Sequence, residues 1–105
     1  MNDEEDFDRE FPYVFVVFED TPSGDREYHF VPRQIDAAAA ICVWSDEDMA
    51  KSGAQDWRGG LAEYDKITTQ ADFNKIAKGF EYAAINYQRV FRTASTVRIS
   101  RIFIR

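Results

Sequence analysis

The alternation of apolar and polar positions along the chain predicts a single α+β domain. Residues 11–18 (FPYVFVVF) form a β-branched and aromatic run without a charged residue. Such unbroken apolarity suggests a strand covered on both faces, hence central in its sheet. Residues 19–25 (EDTPSGD) bring Pro22, Ser23 and Gly24 together, a strong turn signal. Residues 26–31 then alternate imperfectly, Tyr28 and Phe30 against Glu27 and His29, which completes a β-hairpin.

Pro32 closes the second strand, and its fixed φ suits the first turn of a helix. Ile35, Ala38, Ala39 and Cys42 share one face at helical spacing, and the run of alanines favours helix. A competing reading makes residues 38–44 a strand, because Ile41, Val43 and Trp44 prefer sheets. Ser45 followed by Asp48 resembles a capping box and predicts a short helix ending near Gly53. Residues 53–60 (GAQDWRGG) read as a loop carrying Trp57, and residues 61–67 as a weak extended segment. Thr69 is a natural N-cap. From there Phe73, Ile76, Ala77, Phe80, Ala84, Tyr87 and Phe91 recur at helical intervals, which predicts one long amphipathic helix over about 70–91.

The last ten residues read as a strand with a phase change: Val97 and Ile99 are apolar at odd positions, Ile102 and Ile104 at even ones. A bulge near Ser100–Arg101 would reset the register. The expected architecture is an antiparallel sheet, built from the N-terminal hairpin and the C-terminal strand, with the long helix packed on one face. Its Phe73, Ile76, Phe80 and Tyr87 stripe would meet the 11–18 strand.

Composition supports one core. The chain has 105 residues, 45% hydrophobic and 15% aromatic, with nine Phe, which suits a single domain over residues 11–105. Residues 1–10 form an acidic N-terminal tail whose charge opposes ordering. There Asp3, Glu4, Glu5, Asp6, Asp8 and Glu10 face only Arg9. From Arg89 onward Arg89, Arg92, Arg98, Arg101 and Arg105 meet no acid at all. Head and tail can therefore pair with each other or present two faces to partners. The net charge of -6 disfavours direct binding to nucleic acid and suits a basic protein partner. Neither a secretory leader nor an apolar run of membrane-spanning length is evident, so a cytoplasmic location without membrane attachment is expected.

Catalytic chemistry finds little footing. His29 is the sole histidine and falls in a predicted strand, on its polar side. Cys42 is the sole cysteine, on an apolar face, where a buried thiol is ordinary packing. Glu63, Asp65 and Lys66 approach the acid-plus-lysine set of metal-dependent nucleases without its spacing. Asp46, Glu47 and Asp48 lack the alternating ligands and glycine of a calcium loop. Gly59 and Gly60 form no phosphate-binding loop, and no cofactor or metal is expected.

Binding is the stronger expectation. Glu19, Asp20, Asp25 and Glu27 concentrate carboxylates on the hairpin, and Trp57 with Arg58 places an aromatic and an arginine on a loop, residue types typical of interface hot spots. Small, acidic, motif-poor domains resemble in composition the broad group of immunity, antitoxin and phage anti-defence proteins. The expected function is an inhibitor or neutraliser that covers a basic, nucleic-acid-handling partner by complementary charge. A structural or assembly subunit pairing through its C-terminal strand is the alternative. A metal-dependent enzyme using Glu63, Asp65, Lys66 and His29 is the third reading.

Overall fold

A computed structural model describes residues 4–5, 7–57, 60–89 and 93–105. In chain order the elements are β1 (Glu4–Glu5), β2 (Arg9–Phe11), β3 (Val14–Asp20), β4 (Arg26–Tyr28), β5 (Phe30–Pro32), β6 (Ala39–Val43) and α1 (Glu47–Asp56). They continue with β7 (Glu63–Ile67), α2 (Gln70–Ala77), β8 (Tyr82–Gln88), β9 (Thr93–Arg98), a 3-10 turn (Ile99–Arg101) and β10 (Ile102–Ile104). The strands form a five-stranded sheet in the order β1-β9-β8-β6-β5, a three-stranded sheet β4-β3-β7, and the pair β10-β2. The pairing is mixed rather than purely antiparallel, because β6 with β8, β1 with β9 and β10 with β2 run parallel.

The predicted hairpin forms between β3 and β4, its turn closed by Thr21 N–H on the Asp25 carbonyl (2.7 Å) with Gly24 at φ 94°. Its second strand, however, changes sheets at His29. The His29 N–H bonds the Val17 carbonyl of β3 (2.8 Å), while its carbonyl accepts from Cys42 N–H of β6 (2.9 Å). One bent strand, β4 then β5, thereby joins the two larger sheets. A two-bond bridge between Phe15 and Trp44 ties β3 to the end of β6 directly.

Both faces of this layer are covered, which is why its strands read as apolar runs. Val14 and Val16 of β3, Ile41 and Val43 of β6 and Ala83 of β8 point to one side, where Phe73 and Ala77 of α2 pack with Ile102 and Ile104. The intervening Phe15, Val17, Ala40, Cys42, Trp44, Tyr82 and Ala84 point to the other side, against Ala50 and Ala54 of α1. The central position expected for the 11–18 run holds for Val14 onward, since β3 lies between β4 and β7.

The long helix over 70–91 is a correction. Thr69 caps as expected, its Oγ1 accepting from Asp72 N–H at 3.2 Å, but α2 stops at Ala77. Gly79 adopts φ 97°, a left-handed conformation that helices use as a stop, and residues 82–88 continue as β8. The Phe73, Ile76 and Phe80 stripe does meet Val14 and Val16, whereas Tyr87 belongs to the opposite core. Residues 39–43 are likewise strand: Ala37 at φ 63° ends a short turn, so no helix runs from Pro32. The second helix is longer than expected, continuing past Gly53 to Asp56, with Asp46 rather than Ser45 at its N-cap and no side-chain cap bond.

At the C-terminus the phase change is real but its device differs. A 3-10 turn at Ile99–Arg101 resets the alternation and sends β10 away from β9 to pair with β2. Head and tail charges meet there: Arg101 pairs with Asp8 (3.0 Å) and Arg105 with Glu10 (3.2 Å). The other edge of β10 is closed by a side chain. Gln70 accepts from Ile104 N–H at 2.7 Å through Oε1 and donates to the Ile102 carbonyl at 3.2 Å through Nε2. This is the bonding a neighbouring parallel strand would supply.

Candidate functional site

Two regions gather polar side chains in a way the fold alone does not require. The first is the hairpin end of the β4-β3-β7 sheet. Cross-strand register places Glu19 opposite Glu27 on one face, and Asp20 opposite Arg26 on the other. Arg26 bonds Asp20 at 3.1 Å and approaches Asp65 of β7 at 3.9 Å, with its guanidinium 3.9 Å over the Phe18 ring. Asp25 lies exposed in the turn, and Glu63 is exposed beside Phe18. The hairpin carboxylates named from the sequence thus divide between two faces, Glu19 with Glu27 on one and Asp20 on the other, and β7 adds Glu63 and Asp65 to the face of Asp20. On the same sheet Lys66 lies 4.2 Å over the Tyr13 ring.

The second region is a cavity of about 610 Å³ between α1 and β8. Asp48, Ser52 and Asp56 recur every four residues and so present one stripe of α1 to it, beside Met49. The helix can sit low here because residue 53 is glycine: a Cβ there would lie 2.7 Å from Cζ2 of the buried Trp44. Trp44 is held in turn by its Nε1–H on the Tyr87 carbonyl at 3.0 Å.

A bulge in β8 makes the facing wall. Register shifts between Ile85 and Gln88, and Asn86 takes φ 55° while its Oδ1 accepts from Ser45 N–H at 3.0 Å. Bulges re-aim side chains, and here Tyr87 and Arg89 both line the cavity. Arg89 donates to the carbonyl of Asp56 at 3.2 Å.

The inner wall is aromatic. His29, at the corner where the bent strand changes sheets, stacks on Trp57 with ring centroids 4.8 Å apart and planes 12° from parallel. Tyr87 meets the imidazole edge-on at 6.0 Å. His29 is therefore not a solvated histidine on a polar strand face, as expected, but a buried one with 8% exposure. Trp57 is half-buried at the end of α1 rather than displayed on a loop. Arg58 lies outside the described residues, as do Arg92 and Phe91.

The remaining candidates separate. Burial pushes the Cys42 thiol well above its ordinary range, so it is no nucleophile at neutral pH. Glu63, Asp65 and Lys66 are exposed on β7, away from His29 at the other side of β3. Among the described residues no three His, Cys, Asp or Glu side chains are grouped to hold a metal ion, and no helix is long and apolar enough to cross a membrane. The Tyr64 hydroxyl donates to Glu47 at 3.1 Å, and that bond raises its pKa. Sequence reasoning missed the cavity because its walls come from residues 29, 48–57 and 87–89. The only local signal was Asp48, Ser52 and Asp56 at helical spacing.

No protein-family model matches the chain, and a search of curated proteins finds no match either.

Proposed function

We propose that this protein is a small acidic binding module, an inhibitor or neutraliser that covers a basic surface on a partner protein. One observation carries the reading. At the hairpin end of the three-stranded sheet Asp20, Glu63 and Asp65 share the face of Arg26, Asp25 lies in the turn, and Glu19 and Glu27 stand on the other face. The C-terminal arginines, by contrast, are engaged internally: Arg98 with Glu81 (3.0 Å), Arg101 with Asp8 and Arg105 with Glu10. Positive charge is thus partly spent on closing the fold, and among the described residues carboxylates outnumber cations at the hairpin end. Such a field raises association rates with a basic surface and repels nucleic acid itself.

Strand pairing through the C-terminus, the competing reading, needs an open edge on β10. β2 occupies one edge and Gln70 the other, so that reading draws no support from the geometry. The acidic module is tested with two baits, the wild-type chain and a Glu19→Lys, Asp20→Lys, Asp25→Lys, Glu27→Lys variant, each washed at low and high salt. A basic partner that binds the first bait, leaves at high salt and ignores the second supports the proposal. A partner retained equally by both baits overturns it.

A further inference from the structure

We propose that the cavity between α1 and the bulge of β8 is a binding site for a small organic cation, an amine or guanidine carried on a flat apolar body. None of the hairpin carboxylates lines this cavity, and the proposal does not depend on how they are used.

Size comes first. About 610 Å³ lies within the range of small-molecule sites and far exceeds what one inserted lysine or arginine side chain fills. A free ligand suits it better than a partner's side chain.

The lining sets the chemistry. The stacked His29 and Trp57 rings, Tyr87 and Met49 offer flat, polarizable surface suited to an aromatic or aliphatic body. The charge is asymmetric. Asp48 and Asp56 stand on one stripe of α1, eight residues and so roughly 12 Å apart along the axis. Asp56 is also the last residue of α1, where the helix dipole is negative, and the last turn holds no basic residue. A carboxylate at that place opposes the helix it ends, and a bound cation relieves the conflict. Arg89 answers only in part, donating to the Asp56 carbonyl while its side chain stays exposed. Aromatic faces add attraction for a cation once it is partly desolvated.

The site is also built rather than incidental. Gly53 lets the helix approach Trp44, and Asn86, in a left-handed conformation uncommon for any residue but glycine, bonds Ser45 and brings Tyr87 to the wall. Gly53 lines the cavity itself, and Asn86 precedes Tyr87, which lines it too.

The test uses tryptamine and indole-3-propionate, which share a ring system and carry opposite charge. Calorimetric titration at low salt should show saturable tryptamine binding, and indole-3-propionate should bind at least about tenfold more weakly. Asp48→Asn with Asp56→Asn, both exposed and outside the core, should weaken tryptamine about tenfold while leaving the circular dichroism spectrum unchanged. Arg89→Ala should act in the opposite sense and tighten tryptamine, because it removes the competing cation. The proposal is overturned if the propionate binds as well as the amine, or if the double variant binds tryptamine like the wild type. It is overturned equally if no saturable tryptamine binding is found with the folded wild-type chain.

Discussion

Replacing Gln70 by alanine removes the side chain that closes the free edge of β10, and its cost can be worked from two bonds. Oε1 accepts from Ile104 N–H at 2.7 Å and Nε2 donates to the Ile102 carbonyl at 3.2 Å. Both isoleucine side chains are buried, at 1% and 8% exposure, so water reaches these backbone groups poorly once the amide is gone. A net value of about 0.5–1.5 kcal/mol per bond gives roughly 1–3 kcal/mol for the pair. Alanine returns only a few tenths of a kcal/mol through better helix propensity at the first position of α2. In urea the midpoint should fall with the slope unchanged, and thermal unfolding should drop by several degrees. Amide exchange separates this from a general loosening. Ile104 N–H should lose protection first, ahead of Phe15 and Cys42 in the centre of the sheet. A loss below about 0.5 kcal/mol with Ile104 still protected would refute the view that Gln70 stands in for a strand.

Three further outcomes follow from the packing. Gly53→Ala sets about 1 kcal/mol of helix propensity against a Cβ 2.7 Å from Trp44 Cζ2. Trp44 is fully buried and tethered through Nε1, so the melting temperature should fall, and a rise would show that the indole yields. Phe73→Ala, at a site with 0% exposure, should cost about 3–5 kcal/mol. Phe80→Ala should cost clearly less, because that ring is only half-buried and packs on the exposed Phe30; equal losses in denaturant would contradict the assigned burial. Cys42 should impose a pH dependence. Its thiol is raised in the folded chain above the ordinary 9.0, so the unfolded chain loses the proton first. The contribution to stability is full below pH 9 and falls above it by about 1.4 kcal/mol per pH unit. Urea unfolding of the wild type and Cys42→Ala at pH 8 to 10.5 should diverge only above pH 9, and parallel curves would count against burial of the thiol.

What could be read from the sequence was whatever depends on short-range chemistry. The hairpin turn at Pro22–Gly24, the Thr69 cap and the break at Ser100–Arg101 are each set by a few adjacent residues, and each appears. The long helix over 70–91 failed for a physical reason. Tyr82, Ala83 and Ala84 are all buried because helix covers one face of β8 and the second core covers the other. A strand buried on both faces has no alternation to display, and its apolar residues fell in step with the helical period begun at Phe73. The same cause hid β6, where Ala40, Ile41, Cys42 and Val43 are all inside. The hairpin carboxylates were legible because charge clusters in sequence when a turn holds it. The cavity was not, since a bent strand, a helix and a bulge distant in sequence supply one wall each.

The parallel pairing of β2 with β10 sets the order in which this chain can be completed. Residues 9–11 pair with residues 102–104, and the Arg105–Glu10 ion pair spans 95 positions. During synthesis the first strands must wait for the last. The β3–β4 hairpin can form early, but β1 and β2 stay without their ladders until β9 and β10 have been made. Pairings of such long range are slow to close, and an unpartnered strand invites association with other chains meanwhile. The carboxylates of the head, Asp8 and Glu10 among them, keep that waiting segment soluble by mutual repulsion before they serve as counter-ions for the arriving arginines.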